Sequence, residues 1–192
     1  MQKSREITLV IVFAVLSLIT WATLGQLPVM ITGIRGIGYA FLIVHAIPQA
    51  AALIFFEGRR WRFFAVQVIF AFLSLPTMLG GAPFDVIGRL PLIAVGFVVD
   101  VVVNSFYNAA QKRGKLSLWL TSGTAFRWAI DPFIFILIWT LYIPLDIIAS
   151  YLSVLVLLLP IIMVEGALTG YIAYKIYIRI EKVHPEVKIG GY

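Results

Sequence analysis

Residues 147–178 read IIASYLSVLVLLLPIIMVEGALTGYIAYKIYI, an apolar run that contains only two charged side chains, Glu165 and Lys175. A helix needs about 20 apolar residues to cross the hydrocarbon core of a bilayer. This run exceeds that length, and no cluster of loop residues accompanies Pro160. The pattern therefore predicts one membrane helix kinked at the proline, rather than two short spans separated by a turn.

Five further runs of similar composition precede it. They cover residues 7–24, 36–56, 63–79, 87–107 and 128–144. Hydrophobic residues make up 61% of the 192 and charged residues only 12%, whereas about a quarter of a soluble domain is charged. This number of polar side chains is too small to cover a water-facing surface. The expected solvent is therefore lipid. We therefore expect an all-α integral membrane protein, a six-transmembrane-helix bundle that forms a single membrane domain over residues 1–192.

Lysine and arginine are distributed unequally between the loops that these runs leave. If the amino terminus lies inside, only two of the 15 basic residues, Arg35 and Arg89, fall in outer loops. Cytoplasmic loops carry the excess of positive charge in membrane proteins. The sequence thus predicts cytoplasmic N- and C-termini in a multi-pass protein of the cell membrane. The counter-charge is expected to be anionic membrane lipids rather than nucleic acid.

A few polar side chains interrupt the predicted spans at helical spacing. Asp100 and Asn104 lie four residues apart in the fourth span, and His45 lies mid-way along the second. Arg127 and Asp131, where the fifth span begins, are also spaced to pair. An ionisable group inside a bilayer needs a partner or a function. Each of these residues is therefore either a ligand contact or part of an interhelical hydrogen bond that holds the bundle together.

Sequence motifs of enzymes and metal sites are absent. The chain has two histidines and no cysteine, and it contains neither a Walker sequence nor a G-x-S-x-G elbow. We therefore predict a protein that is not an enzyme and that uses no metal or cofactor. Any transport that it performs would draw energy from an ion gradient or from partner subunits.

The string KSREITL at residues 3–9, followed by IVFA at 11–14, resembles the opening of substrate-binding S components of energy-coupling factor (ECF) vitamin transporters. Segments 36–39, 80–85 and 96–100 resemble members that take up thiamine precursors. The resemblance covers the full length in architecture. It implies a subunit that binds a small vitamin or vitamin precursor outside the cell and pairs with a transmembrane coupling subunit and cytoplasmic ATPases.

In that family the ligand is bound in the outer half of the bundle. The resemblance therefore implies substrate-binding residues at the outer helix ends and deeper on the fourth span, namely Tyr39, Asp85, Arg89, Trp139, Tyr142, Asp146, Tyr151 and Asp100. The polar positions within the spans add His45 and Asn104 to this set. Family members often carry alanines four residues apart on the first helix, where the coupling subunit packs. In this chain the position four residues after Ala14 is Leu18 instead of alanine, and the next small residue on that face is Ala22.

Gly166 and Gly170 form a small-xxx-small step on the sixth span. Such a step lets another helix approach closely, either from a partner or from within the chain. Together with Ala14 and Ala22, these glycines are candidates for partner-helix packing. Three other functions remain open: a structural or assembly subunit of a cell-envelope complex, an embedded enzyme that uses Asp100 and Glu165 as acid and base, and an autonomous ion-coupled carrier.

Overall fold

The computed structural model describes residues 2–33, 42–79 and 83–183. In these ranges every regular element is a helix, and no β-strand is present. Tyr39 lies outside the described residues, as does the side chain of Tyr151, whose backbone belongs to the last helix. The prediction of an all-α protein is confirmed for the part of the chain that the structure describes.

The helical elements follow one another from the amino terminus. They are α1 (Gln2–Thr20), a π-helical turn (Trp21–Gly25), α2 (Leu27–Thr32), α3 (Leu42–His45), α4 (Ile47–Phe55), α5 (Arg62–Leu73), a 3-10 turn (Ile87–Arg89), α6 (Leu90–Ser105), α7 (Tyr107–Lys112), α8 (Leu116–Trp139) and α9 (Leu145–Val183). The last of these is 39 residues long and continues through Pro160 as one helix.

Three helical stretches among the described residues are long and apolar enough to cross a membrane. They are Ser4–Thr32, Ile87–Lys112 and Leu145–Val183. In the first and last of these, most side chains face outward from the fold and many are Ile, Val or Leu. Large exposed apolar surfaces are unusual on soluble proteins. The structure therefore supports a membrane protein.

The helix that differs most from its predicted span is α8. The prediction began at residue 128, whereas α8 runs over Leu116–Trp139. Hydroxyl side chains lower the hydropathy of its first half, but they bond within the helix: Thr124 donates a hydrogen bond to the Leu120 carbonyl oxygen at 2.8 Å. Because such bonds satisfy the hydroxyl groups locally, the polar composition does not end the helix. As a result, Arg127 lies near the middle of the helix α8 rather than at its start.

The interior of the bundle is occupied by α4. Every residue from Gln49 to Phe56 is buried. The run Ala50-Ala51-Ala52 has small side chains, which let neighbouring helices approach closely. The neighbours α1, α5, α6, α8 and α9 pack side by side in that order, and α4 contacts α1, α8 and α9. The hydrophobic core therefore forms around α4.

Two glycines bring α9 into close contact with α8 of the same chain. A Cβ atom on Gly170 would lie 2.2 Å from Thr124 Oγ1, and one on Gly166 would lie 3.0 Å from the Thr124 carbonyl oxygen. Both glycines therefore pack against a helix of the same chain. The sequence had left open whether they pack within the chain or against a partner helix. Ala14 is likewise fully buried in the core, whereas Ala22 is exposed.

Candidate functional site

Asp100, a predicted ligand residue, binds backbone groups at the start of α5. Its Oδ1 atom accepts a hydrogen bond from the Trp61 amide at 2.9 Å, and its Oδ2 atom accepts one from the Phe64 amide at 2.8 Å. Asn104 donates its side-chain amide to the same Oδ1 at 2.9 Å. The first amides of a helix have no partner within it, and the helix dipole is positive there. The two backbone contacts of Asp100 are thus interhelical hydrogen bonds of the kind considered above, whereas Asn104 bonds to Asp100 within α6.

Arg89 binds the opposite end of α5. Its buried Nη2 atom donates hydrogen bonds to the carbonyl oxygens of Ser74 at 3.2 Å and Thr77 at 2.6 Å. These carbonyl groups lie at and just beyond the carboxyl end of α5, where the helix dipole is negative. The 3-10 turn therefore supplies the Arg89 guanidinium to the carboxyl end of α5. The helix α6, which follows it, supplies the Asp100 carboxylate to the amino end of α5. Both charges stabilise the fold of this short helix.

Two further predicted residues lie near Arg89. The Asp85 carboxylate accepts a hydrogen bond from the Gly88 amide at 3.0 Å, which satisfies a donor of the 3-10 turn. It also lies within electrostatic range of the Arg89 guanidinium and the Tyr142 hydroxyl. The structure thus brings Asp85, Arg89 and Tyr142 together at one end of the bundle.

Trp139 packs within α8, and Asp146 lies at the beginning of α9. The Trp139 ring packs edge-to-face against Phe135, with 5.7 Å between ring centroids. Asp146 is exposed in the first turn of α9. A carboxylate in that turn interacts favourably with the positive end of the helix dipole. The contacts described for both residues are explained by helix structure.

A different group of buried side chains lies where α3 and α8 meet. His45 and Trp128 pack edge-to-face, with 5.8 Å between ring centroids and an interplanar angle of 87°. The guanidinium carbon of Arg127 lies 3.5 Å from the centroid of the Trp128 ring, and its Nη1 atom lies 3.6 Å from Asp131 Oδ1. All four side chains are buried. We call these four residues the His45 cluster.

Irregular backbone surrounds the His45 cluster. The π-helical turn Trp21–Gly25 places Gly25 against the imidazole, where a Cβ atom would lie 3.2 Å from His45 Nδ1. The Thr20 hydroxyl donates a hydrogen bond to the His45 carbonyl oxygen at 3.3 Å. Pro132 lies inside α8 and removes a backbone donor one residue beyond the cluster. Since π-helical turns occur frequently at functional sites, the cluster is the strongest candidate for a binding site.

Trp128 differs from Trp119, the other buried tryptophan of α8, in its hydrogen bonding. The Trp119 Nε1 atom donates to the Val103 carbonyl oxygen at 2.8 Å. The Trp128 Nε1 atom is buried and has no acceptor among the residues that the structure describes. A buried indole N–H normally has a partner. This donor is therefore available to a bound molecule.

Two buried polar contacts were not predicted from the sequence. Gln67 is fully buried and donates its side-chain amide to Gln49 Oε1 at 3.3 Å, which joins α5 to α4. Glu6 is buried at the start of α1 and forms ion pairs with Arg59 and Arg62. The available signals were an amide inside an apolar span and an acidic residue near a basic turn. Neither signal identifies its partner, because the partners lie on other helices.

No group of three or more His, Cys, Asp or Glu side chains is arranged to hold a metal ion within the described ranges. In comparisons with known proteins, no protein-family model matches the chain, and neither a curated protein nor a solved structure matches it. We therefore infer the function from the geometry of the His45 cluster and the helices around it.

Proposed function

We propose that the protein is the membrane-embedded, substrate-binding subunit of a transporter that imports a small vitamin or vitamin precursor. The observation that carries this proposal is the His45 cluster, whose ionisable side chains are buried in a bundle with apolar outer faces. Ionisable residues inside membrane bundles generally mark substrate or ion pathways. In this proposal the chain crosses the cell membrane six times, with both termini in the cytoplasm.

The chemistry of the cluster suits a flat ring that carries a hydrogen-bond acceptor. Indole and imidazole rings stack well with other rings. The Trp128 ring contacts both His45 and Arg127, and its Nε1 atom supplies a donor without an acceptor among the described residues. Thiamine-related compounds combine a flat ring with nitrogen acceptors, so they are the first candidates to test.

Energy for import would come from partner subunits. The sequence contains no Walker motif, so this chain has no recognisable means of hydrolysing ATP. An ECF-type arrangement supplies a transmembrane coupling subunit and cytoplasmic ATPases. The outward apolar faces of α1 and α9 offer surface both to such a subunit and to lipid.

Mass spectrometry of the denatured, purified protein tests ligand binding directly. The chain would be purified in mild detergent from cells grown in rich medium, and the small molecules released on denaturation would be identified. We expect one vitamin or precursor in stoichiometric amount, and its return to stripped protein should raise the midpoint of thermal unfolding. No released compound, together with no thermal shift across vitamins that include thiamine and its precursors, would overturn the proposal.

The proposed topology can be tested by labelling because the chain has no cysteine. Lys115 and Asp146 are both exposed, and the six-span arrangement puts them on opposite sides of the membrane. Asp146→Cys should react with a membrane-impermeant maleimide in intact cells. Lys115→Cys should react only after the membrane is opened. Equal reaction of both variants from outside would contradict the topology.

A structural or assembly subunit of a cell-envelope complex is the second candidate function. It is favoured by Asp100 and Arg89, because their hydrogen bonds go to the ends of α5 rather than to an open site. If the His45 cluster is structural as well, Trp128→Phe will leave vitamin uptake unchanged in cells. Other membrane proteins would then be expected to copurify stably with the chain.

A further inference from the structure

Three aromatic rings form an exposed patch where α5 begins beside α6. The Trp61 ring centroid lies 6.1 Å from that of Phe64 and 6.0 Å from that of Phe97. The Phe64 and Phe97 centroids are 6.2 Å apart. Trp61 is 52% exposed and Phe97 is 47% exposed. We call these three residues the aromatic patch. Their rings contact one another, Trp61 and Phe97 are accessible from outside the bundle, and Phe64 is half-buried between them and the core.

The backbone at Trp61 is held in an unfavourable conformation. Its φ angle is 69°, in the left-handed region that bulky side chains rarely adopt. The Asp100 carboxylate stabilises this conformation by accepting a hydrogen bond from the Trp61 amide. Such backbone strain persists where the surrounding structure fixes it, often at ligand-binding positions. Here it holds the indole on the exterior, in contact with Phe97.

The turn that leads into α5 carries an excess of positive charge. Glu6 and residues 57–62 together contain three arginines and two glutamates. Glu6 pairs with both Arg59 and Arg62, so two guanidinium groups share one carboxylate. Arg60 is exposed, and it forms no salt bridge with any described residue. The turn therefore offers an uncompensated cation at the residue that precedes Trp61 of the aromatic patch.

We propose that this surface binds one anionic phospholipid, with Arg60 contacting the phosphate and the aromatic patch contacting the glycerol and the upper acyl chains. Tryptophan favours the boundary between headgroups and hydrocarbon, and basic residues at that boundary attract anionic lipids. Inorganic phosphate would leave the three rings uncovered, whereas a phospholipid covers both the charge and the rings. The bound lipid is separate from any substrate in the His45 cluster.

Native mass spectrometry of the full chain in mixed micelles tests this proposal. The protein would be incubated with equal amounts of phosphatidylglycerol and phosphatidylcholine, and the lipids that remain bound would be identified. The unaltered chain should retain one phosphatidylglycerol in preference to phosphatidylcholine. Arg60→Gln should reduce this retention roughly fivefold, the factor for one basic side chain near an anionic surface. Phe97→Leu should also reduce it, because the ring contact is lost.

Lys115→Gln and Phe133→Leu are matched controls, since both residues are exposed and lie outside the patch. Neither variant should change lipid retention, and thermal unfolding will establish that each variant is folded. Equal retention of the two lipids, or equal losses in Arg60→Gln and Lys115→Gln, would show diffuse attraction and overturn the proposal. Displacement of the lipid by inorganic phosphate would overturn it in favour of a free-anion site.

Discussion

The ends of α5 and the His45 cluster use buried charge in different ways. At α5, Asp100 and Arg89 bind backbone groups through hydrogen bonds as short as 2.8 Å and 2.6 Å, respectively. In the cluster, Arg127 Nη1 lies 3.6 Å from Asp131 Oδ1, the Arg127 guanidinium stacks on the Trp128 ring, and that ring packs against His45. Burial alone therefore does not identify a binding residue in a membrane bundle. The type of partner separates a charge that stabilises a helix end from one that can serve a ligand.

Asp100→Ala should have the largest effect on stability. It removes the acceptor of the Trp61 and Phe64 amides, which are partly buried, and the acceptor of the buried Asn104 amide. A buried donor left unsatisfied costs about 1–3 kcal/mol. We expect the free energy of unfolding in detergent to fall by about 3 kcal/mol, with a smaller loss for Asp100→Asn, which keeps one acceptor. Asp146→Ala, at an exposed carboxylate, is the control. Similar losses in the two alanine variants would contradict the role assigned to Asp100.

Gly170→Val should have the next largest effect, because it separates α9 from the helix that carries the His45 cluster. Its first added atom would lie 2.2 Å from Thr124 Oγ1 and 2.8 Å from the Leu120 carbonyl oxygen. Overpacking of this kind typically costs about 1–3 kcal/mol. Thermal unfolding and ligand affinity should both decline. Ala149→Val, at an exposed position of α9, should change neither; a decline in that variant too would mean that close α8–α9 packing is not the cause.

Trp119→Phe and Trp128→Phe should distinguish a buried indole N–H that stabilises the fold from one that binds a ligand. The first variant loses the hydrogen bond to Val103, which should lower the free energy of unfolding by about 1 kcal/mol without changing ligand affinity. The second loses a donor that has no acceptor among the described residues, so its stability should fall less than that of Trp119→Phe, through the loss of ring packing alone. Its affinity for the copurifying ligand should fall roughly tenfold, the effect of one hydrogen bond. Isothermal titration measures the ligand affinity, and thermal unfolding measures the stability. Identical changes in the two variants would contradict different roles for Trp119 and Trp128.

Tyr177→Phe should have the smallest effect on the free energy of unfolding. It serves as the reference for variants at the ends of α5 and in the His45 cluster. The Tyr177 hydroxyl donates a hydrogen bond to Glu57 Oε1 at 3.1 Å in a partly buried position. Its loss should lower the free energy of unfolding by about 0.5–1 kcal/mol. Tyr171→Phe, at an exposed tyrosine of the same helix, should be neutral. A loss in Tyr177→Phe that matched Asp100→Ala would mean that the turn at residues 57–62 is sensitive to any change.

The helical, membrane-bound character of the chain could be predicted because lipid allows few solutions. A spanning segment must be a long apolar helix that satisfies its own backbone, and α9 shows this pattern plainly in its sequence. The bounds of α8 could not be predicted in the same way. Its hydroxyl groups and Arg127 lower the local hydropathy, although Thr124 bonds to its own helix and Arg127 is buried against Trp128.

The candidate site was predicted only in part, because contacts between helices decide it. His45 and Asp100 were both recognisable as polar groups inside spans. Their different contacts depend on distant residues: the amides that Asp100 binds lie 36 and 39 positions away in sequence. The π-helical turn Trp21–Gly25 has an ordinary composition, so its proximity to His45 is apparent only in three dimensions.

The burial of every residue from Gln49 to Phe56 has a consequence for chemistry carried out in the hydrocarbon phase. A photoreactive reagent dissolved in lipid modifies the side chains that it meets. It would reach Leu157 and Val164 on α9, which are 78% and 59% exposed, but none of residues Gln49 to Phe56. In a heavily modified membrane, residues 49–56 would therefore remain unlabelled, as the innermost strand of a soluble protein escapes reagents dissolved in water.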